Sequence, residues 1–247
     1  YDVLIIGAGP GGIFSAYELM ERKPDLKIAV FEVGHPLEHR KCPIDGDKIK
    51  SCIHCKCCSI MSGFGGAGAF SDGKLTLTPD VGGHLVDYMS REKVEQLIKY
   101  ADKKTAIELM EYVDGINLRF GGEGTKLDFT AGTKFKKTCM QHGLHLLDAS
   151  VRHLGTDINY IVLEHLYDHL KNKVDFYFDC AIETVEKTEK GYKVYSDDTT
   201  FEGTKCIISA GRSGSKWMER ICNELEIPTK SNRVDLGVRV ELPAEVF

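Results

Sequence analysis

The sequence predicts an α/β fold in which a parallel sheet and a β-meander are interrupted by a partly helical second domain. Three observations predict it. The opening stretch "DVLIIGAGPGGIFSAYELMERKPDLKIAVFE" reads strand, glycine turn, helix, strand, acid. A later stretch, from Val174 to Ser209, reads as successive short strands with turns at Lys190-Gly191 and Asp197-Asp198. Between the two, apolar residues recur at helical spacing.

The totals narrow the field. A chain of 247 residues can bury one large domain, or a domain and a half. Its 32 basic and 37 acidic residues leave a net charge of -5. No basic block stands out, which excludes nucleic acid as a main partner. No apolar run reaches the length of a membrane span. The chain opens directly on a strand, without a charged leader, and carries an odd number of cysteines, nine. That usage predicts a reducing, cytoplasmic setting.

In the first element, Val3 to Ile6 form the apolar run of a buried parallel strand. Gly7, Gly9 and Gly12 follow as G-x-G-x-x-G, with Pro10 and Gly11 inside the turn. Gly7 permits the tight turn and Gly9 lets backbone approach a pyrophosphate. Gly12 and Ala16 let the helix pack close to the strands. The helix N-terminus then offers free N–H groups and a partial positive charge to the phosphates. Ile28 to Phe31 form the second strand, and Glu32 ends it, placed to accept from a ribose diol. This is a Rossmann-like dinucleotide site, and the fingerprint serves NAD and FAD alike. "GFGGAG" at Gly63 to Gly68 matches the same pattern, but follows "CCSIMS" rather than a strand. The β-meander favours FAD, because it returns to a buried strand, Lys205 to Ser209, without a further βαβ unit.

These residues resemble the FAD-dependent oxidoreductases of the glutathione-reductase type, with their two-dinucleotide fold. The resemblance rests on "DVLIIGAGPGG", Glu32, "CAIETV" and "CIISAGR". A closer resemblance is to the FAD-utilising dehydrogenase-like family, through "SGFGGAGAFSDGKLTLT" and "DLGVRVELP". The resemblance implies that backbone around Ala181 and Ile182 passes the adenine, and that Ala210, Gly211 and Arg212 border the cofactor. It also implies that Gly65, Gly66, Ala67 and Gly68 lie against the flavin ring, where missing side chains leave room for a flat group. Ser71, Asp72 and Lys74 would supply polar groups at the ring edge. Arg40 can reach phosphate or ribose near Glu32, or be a solvated surface arginine. The superfamily's late Gly-Asp segment has no counterpart after Gly211, which, with no initiator Met, leads us to expect a fragment.

Five cysteines fall between Cys42 and Cys58. Cys52, Cys55 and Cys58 are spaced C-x2-C-x2-C, with Cys42 as a fourth ligand and Cys57 left over. The set suits an iron–sulfur cluster or zinc. Unliganded thiols are the rival reading, and "CIHC" also reads as a dithiol pair. Cys139, Cys180, Cys206 and Cys222 read as small buried hydrophobes.

In the middle, Val94, Leu97, Ile98, Ala101, Ile107, Met110 and Val113 fall on one helical face, with Ser90 as cap. "RFGGEGTKLDFTAGTKFKKTC" reads as loops and short strands. "GTDINYIVLEHLYDHLKN" reads as a second amphipathic helix capped by Thr156 or Asp157. His165 and His169 on it have ligand spacing but no third ligand. His142, His145 and His153 are candidates for catalysis without a distinguishing feature. The expected organisation is an FAD-binding domain over 1–80 and 151–225, with an incomplete substrate or cap domain over 81–150 and 226–247. The expected activity is an FAD-dependent oxidoreductase acting on an undefined small-molecule substrate or electron donor. The rivals are an NAD(P)-binding dehydrogenase domain and a non-catalytic flavin or metal module.

Overall fold

The computed structural model describes residues 1–79, 103–197, 199–231 and 243. Strand β1 (Val3–Ile6) leads through the glycine turn into α1 (Pro10–Arg22), and β2 (Ile28–Phe31) follows. A long connection carries β3 (Lys74–Thr76), α2 (Lys103–Asn117), β4 (Leu127–Phe129), α3 (Phe135–Gln141), β5 (Ser150–His153) and α4 (Gly155–Leu170). Then come β6 (Asp175–Tyr177), β7 (Thr184–Lys187), β8 (Tyr192–Ser196), β9 (Thr199–Gly203), β10 (Lys205–Ile208) and α5 (Ser215–Glu224).

Four strands form one parallel sheet in the order β10-β1-β2-β6. The chain steps outward from β1 to β2 to β6, then returns to the other side of β1. The order therefore reverses beside β1. In open α/β sheets that is where ligands bind, beyond the carboxyl ends of the strands.

Alternation sorts the core into two layers. Val3, Ile5, Ile28 and Val30 pack against Ile13, Ala16, Tyr17 and Met20 of α1, and against Val162, Leu166 and Leu170 of α4. Leu4, Ile6, Ala29 and Phe31 face the other way, onto Val185 and Val194 of the antiparallel meander β7-β8-β9 and Ile221 of α5. Every residue of β1 and β2 is buried, as their unbroken apolar runs predict. The α/β expectation, with its parallel sheet and meander, is met.

A second antiparallel sheet, β3-β5-β4, lies within the long connection. It takes β3 and most of β5 from the stretches expected to belong to the nucleotide domain, and β4 from the insertion. Arg152 on β5 ties it to α2 through two hydrogen bonds to the buried Asp114 carboxylate, at 2.7 and 2.8 Å.

Some local expectations shift. Neither Thr156 nor Asp157 caps α4: the chain enters it directly from β5, with Leu154 and Gly155 donating to the carbonyls of Gly73 and Asp72. Asp157 instead lies in the first turn, where a carboxylate suits the helix dipole. The most buried positions of α2 are Ala106, Asp114, Ile116 and Asn117, with Ile107, Met110 and Val113 only partly covered. Ser90, Val94, Leu97, Ile98 and Ala101 lie outside the described residues, as does "DLGVRVELP". Helix α3 was not anticipated, and none of its residues is buried. No helix among the described residues is long and apolar enough to cross a membrane.

Candidate functional site

The carboxyl edge of the parallel sheet gathers most of the residues singled out by sequence. Gly7 turns the chain out of β1 at φ +102°, and a Cβ there would stand 2.5 Å from the Ser209 carbonyl oxygen. Gly9 precedes α1 in an extended conformation, with Pro10 at the first helical position, where a missing N–H costs nothing. Pro10 and Gly11 are exposed at the mouth. Gly12 is buried, and a Cβ on it would overlap the Gly7 carbonyl oxygen.

The second glycine-rich loop docks onto the first. Gly65 N–H donates to the Ala8 carbonyl at 2.8 Å, and a Cβ on Gly66 would lie 3.0 Å from the Gly9 Cα. Gly65, at φ +86°, faces Leu163 of α4 so closely that a Cβ would stand 2.7 Å from that side chain. Two residues 57 positions apart in sequence, Gly9 and Gly66, thus form one backbone-lined surface above the N-terminus of α1. Ala67 and Gly68 are exposed beyond it.

Glu32 occupies the joint between these loops. Its carboxylate is buried and accepts from three backbone N–H groups: Ala8 at 2.8 Å, Gly34 at 2.9 Å and Gly63 at 2.8 Å. A carboxylate offers about four lone-pair directions. Three are filled from within the chain, so one remains for a ribose hydroxyl rather than the two a diol would use. The loop after β6 runs alongside: Cys180 N–H donates to the Glu32 carbonyl, and Asp179 N–H to that of Gly34. This brings Ala181, exposed, and Ile182, buried toward the meander, next to Glu32. His35 Nδ1 lies 2.5 Å from the Asp179 carboxylate and links the same two loops.

Arg40 is committed elsewhere than to solvent. It is buried, and four of its five N–H groups point at backbone carbonyls. Nε donates to Ser59, Nη2 to Ile60, and Nη1 to both Phe64 and Gly66, at 2.6 to 2.9 Å. The guanidinium carbon lies 4.9 Å from the Phe70 ring centroid, a cation–π contact. Burial pulls its pKa below the usual value, and the Glu32 charge opposes the shift. Arg40 therefore shapes the second glycine loop from behind. Lysine cannot reproduce a planar fork. Arg40→Lys is expected to cost about 1–2 kcal/mol in chemical unfolding, since several buried carbonyls lose a donor.

Ser71 Oγ donates to the Gly68 carbonyl at 2.8 Å. Asp72 and Lys74 form an exposed pair at 2.9 Å, whose hydrogen bond holds the Asp72 carboxyl below its ordinary pKa. His153 Nε2 lies 3.5 Å from the same carboxylate, which sets it apart from the exposed His142 and His145. His165 meets the Phe120 carbonyl and His169 meets Glu21, so both are accounted for without a ligand. After β10, Ala210 backs Gly7, while Gly211, at φ +64°, and Arg212 are exposed at the edge.

Three contributors escaped the sequence reading. Ser209 Oγ donates to the carbonyls of Ile6 and Gly7, both at 3.1 Å, closing the turn after β1. Asn159 on α4 donates to the carbonyls of Gly68 and Ala69 and pins the far end of the second loop. Gly34 has no room for a Cβ against Ser62 and Gly63. Each acts on backbone atoms distant in sequence, and no local pattern announces such contacts.

The four cysteines read as metal ligands, Cys42, Cys52, Cys55 and Cys58, are exposed and free. Among the described residues, no three His, Cys, Asp or Glu side chains are grouped to hold a metal ion. Two surface depressions, of about 250 and 570 Å³, both include Tyr1 and open at the amino ends of the strands, away from the glycine-rich edge.

No protein-family model matches the chain, and no curated protein matches it. Solved structures do. Glycine oxidase from Geobacillus kaustophilus is 14% identical at a TM-score of 0.47, over 92% of this chain and 58% of that one. L-amino acid deaminase from Proteus vulgaris is 14% identical at 0.41, over 91% and 50%. Glycine oxidase from Bacillus cereus is 12% identical at 0.44, over 92% and 58%. The chain thus spans about half the length of the structures it matches. Likenesses this distant assign no residue roles.

Proposed function

We infer that the glycine-rich edge holds the diphosphate and adenosine of FAD, and that the chain is the nucleotide-binding part of an oxidoreductase. The observation that carries this reading is Gly9. Packing within the protein demands glycine at positions 7 and 12, where a Cβ would strike backbone. It makes no such demand at position 9. The backbone there is at φ −77°, open to any residue, and a Cβ would meet nothing nearer than the Gly66 Cα at 3.8 Å. A side chain at Gly9 would stand over the first turn of α1, where the unpaired N–H groups face outward. Its absence serves something other than the fold, and a diphosphate on a helix N-terminus fits that space.

FAD is favoured over NAD(P) by the second glycine loop. Its backbone continues the surface from Gly9 toward Gly68 and presents few side chains to a flat group. In this reading Glu32 accepts one ribose hydroxyl, the 179–182 backbone borders the adenine, and Arg40 and Asn159 hold the second loop in place. Ala210, Gly211 and Arg212 close the edge beside β10. When bound, FAD would accept electrons from a substrate at its ring. Residues 1–80 and 151–225 would form this binding unit, with the intervening segment toward the substrate.

The test is a titration of the purified chain with FAD and, separately, NAD+, followed by fluorescence and by visible absorption. FAD is expected to bind and NAD+ not to. Gly9→Ala is expected to keep its melting temperature within about 2 °C while losing FAD affinity tenfold or more, about 1.4 kcal/mol. Tighter binding of NAD+ than FAD would transfer the site to the dehydrogenase reading. Unchanged FAD affinity in Gly9→Ala would remove the argument for this site.

A further inference from the structure

Residues 41–58 form a long irregular loop that the nucleotide reading leaves unused. Nearly all of it is exposed, including Ile44 and Ile53. Its internal order is one turn, in which the Asp45 carboxylate accepts from the N–H groups of Asp47, Lys48 and Ile49. Arg40 closes its base. Arg40 precedes the loop and donates to the carbonyls of Ser59 and Ile60, which follow it. A loop of this length without secondary structure or a core of its own calls for a staple or a function.

The structure separates its five thiols into four and one. Cys57 is half-buried and its Sγ donates to the Val33 carbonyl, next to Glu32, at the foot of the loop. Cys42, Cys52, Cys55 and Cys58 are exposed and free. One of them already accepts a backbone donor: His54, at φ +51°, turns its N–H toward Cys52 Sγ at 3.4 Å. The loop also holds four lysines, Lys41, Lys48, Lys50 and Lys56, against two acids, Asp45 and Asp47. A divalent ion with four thiolates carries two negative charges, which that excess of two positive charges offsets.

We propose that Cys42, Cys52, Cys55 and Cys58 bind one thiolate-ligated metal centre, and that this centre gives the 41–58 loop the core it lacks. The four thiols are not grouped around a ready-made site. The loop therefore closes on the metal, and nothing buried has to break for it to do so. Each thiol loses its proton to solvent as its sulfur–metal bond forms. The same four thiolates suit a single zinc ion or an iron–sulfur cluster.

The experiment uses the full chain, purified without oxygen, stripped with a chelator, and reconstituted in two arms. One arm receives Zn2+ alone; the other receives Fe3+, sulfide and a thiol, which reduces part of the iron. Retained metal and acid-labile sulfide are measured after gel filtration, and trypsin probes Lys48, Lys50 and Lys56. In one arm metal is expected to stay bound and tryptic cleavage of the loop to slow tenfold or more. About one zinc per chain without sulfide identifies the ion, and iron with matching sulfide identifies the cluster. Cys55→Ser and Cys58→Ser are expected to lose the metal and the protection with unchanged far-UV circular dichroism. Cys57→Ser is expected to keep both. Should a serine variant fail to fold, chelator treatment of the unaltered chain must still restore cleavage. Metal below about 0.1 per chain in both arms would overturn the proposal. So would a Cys57→Ser variant as depleted as Cys55→Ser.

Discussion

Glu32→Ala is expected to destabilise the chain by about 3 kcal/mol or more and to abolish nucleotide binding. Removing the carboxylate strands three buried N–H groups at once, those of Ala8, Gly34 and Gly63. Each buried donor without a partner costs about 1–3 kcal/mol, and water entering the vacated space brings the sum toward the low end. The loss is also topological. Ala8 belongs to the turn after β1, Gly34 to the loop after β2, and Gly63 to the second glycine loop. One side chain holds all three in register. Glu32→Gln keeps one accepting oxygen but turns an NH2 toward at least one N–H group, so its cost falls between wild type and alanine. Urea unfolding of the three proteins measures this order. A Gln variant as stable as wild type would mean that the carboxylate is not the joint it is taken to be.

Gly12→Ala is expected to be as damaging, about 3 kcal/mol, against the usual sign of the exchange. Inside a helix, alanine normally stabilises by about 1 kcal/mol over glycine. Here the added methyl overlaps the Gly7 carbonyl oxygen, and Ser209 Oγ, which is bonded to that oxygen, lies 3.1 Å away. The Gly7 carbonyl is backbone at the end of β1 and cannot turn aside. Helix α1 must therefore lift from β1, which pulls Ile13 and Ala16 out of a core where they are almost fully covered. Thermal unfolding of Gly12→Ala beside Gly9→Ala is the informative pair. The two methyls are three residues apart in one motif, and only the first is opposed by the protein itself.

That contrast also measures what the sequence discloses. The order strand, glycine turn, helix, strand, acid is local, and each part carries a short-range signature: an apolar run, a φ only glycine tolerates, a helical period. The meander is local too, through its turns. The contacts that complete the edge are not. Gly66 against Gly9, Asn159 on the Gly68 carbonyl and Ser209 on the Gly7 carbonyl join segments far apart, through backbone atoms that every residue possesses. Arg40 read as a phosphate or ribose contact or as a surface cation, and not as a backbone brace, because its four acceptors are carbonyls, invisible as side chains in a sequence. Helix α3 hides for the opposite reason, since a helix that buries nothing leaves no apolar stripe to read.

The strand order has a consequence for the timing of synthesis. β1 finds one neighbour, β2, almost at once, but its other neighbour is β10, whose residues 205–208 are made far later. At about 5–20 residues per second, the ribosome needs on the order of 10–35 s to travel from one to the other. Through that interval the most apolar strand of the protein has an open edge, the kind that recruits other chains. The proposed seat of the nucleotide is unfinished for as long, because Ser209 closes the turn at Gly7. A nascent chain released or stalled before residue 209 would carry the whole glycine fingerprint and still have no place to put a ligand.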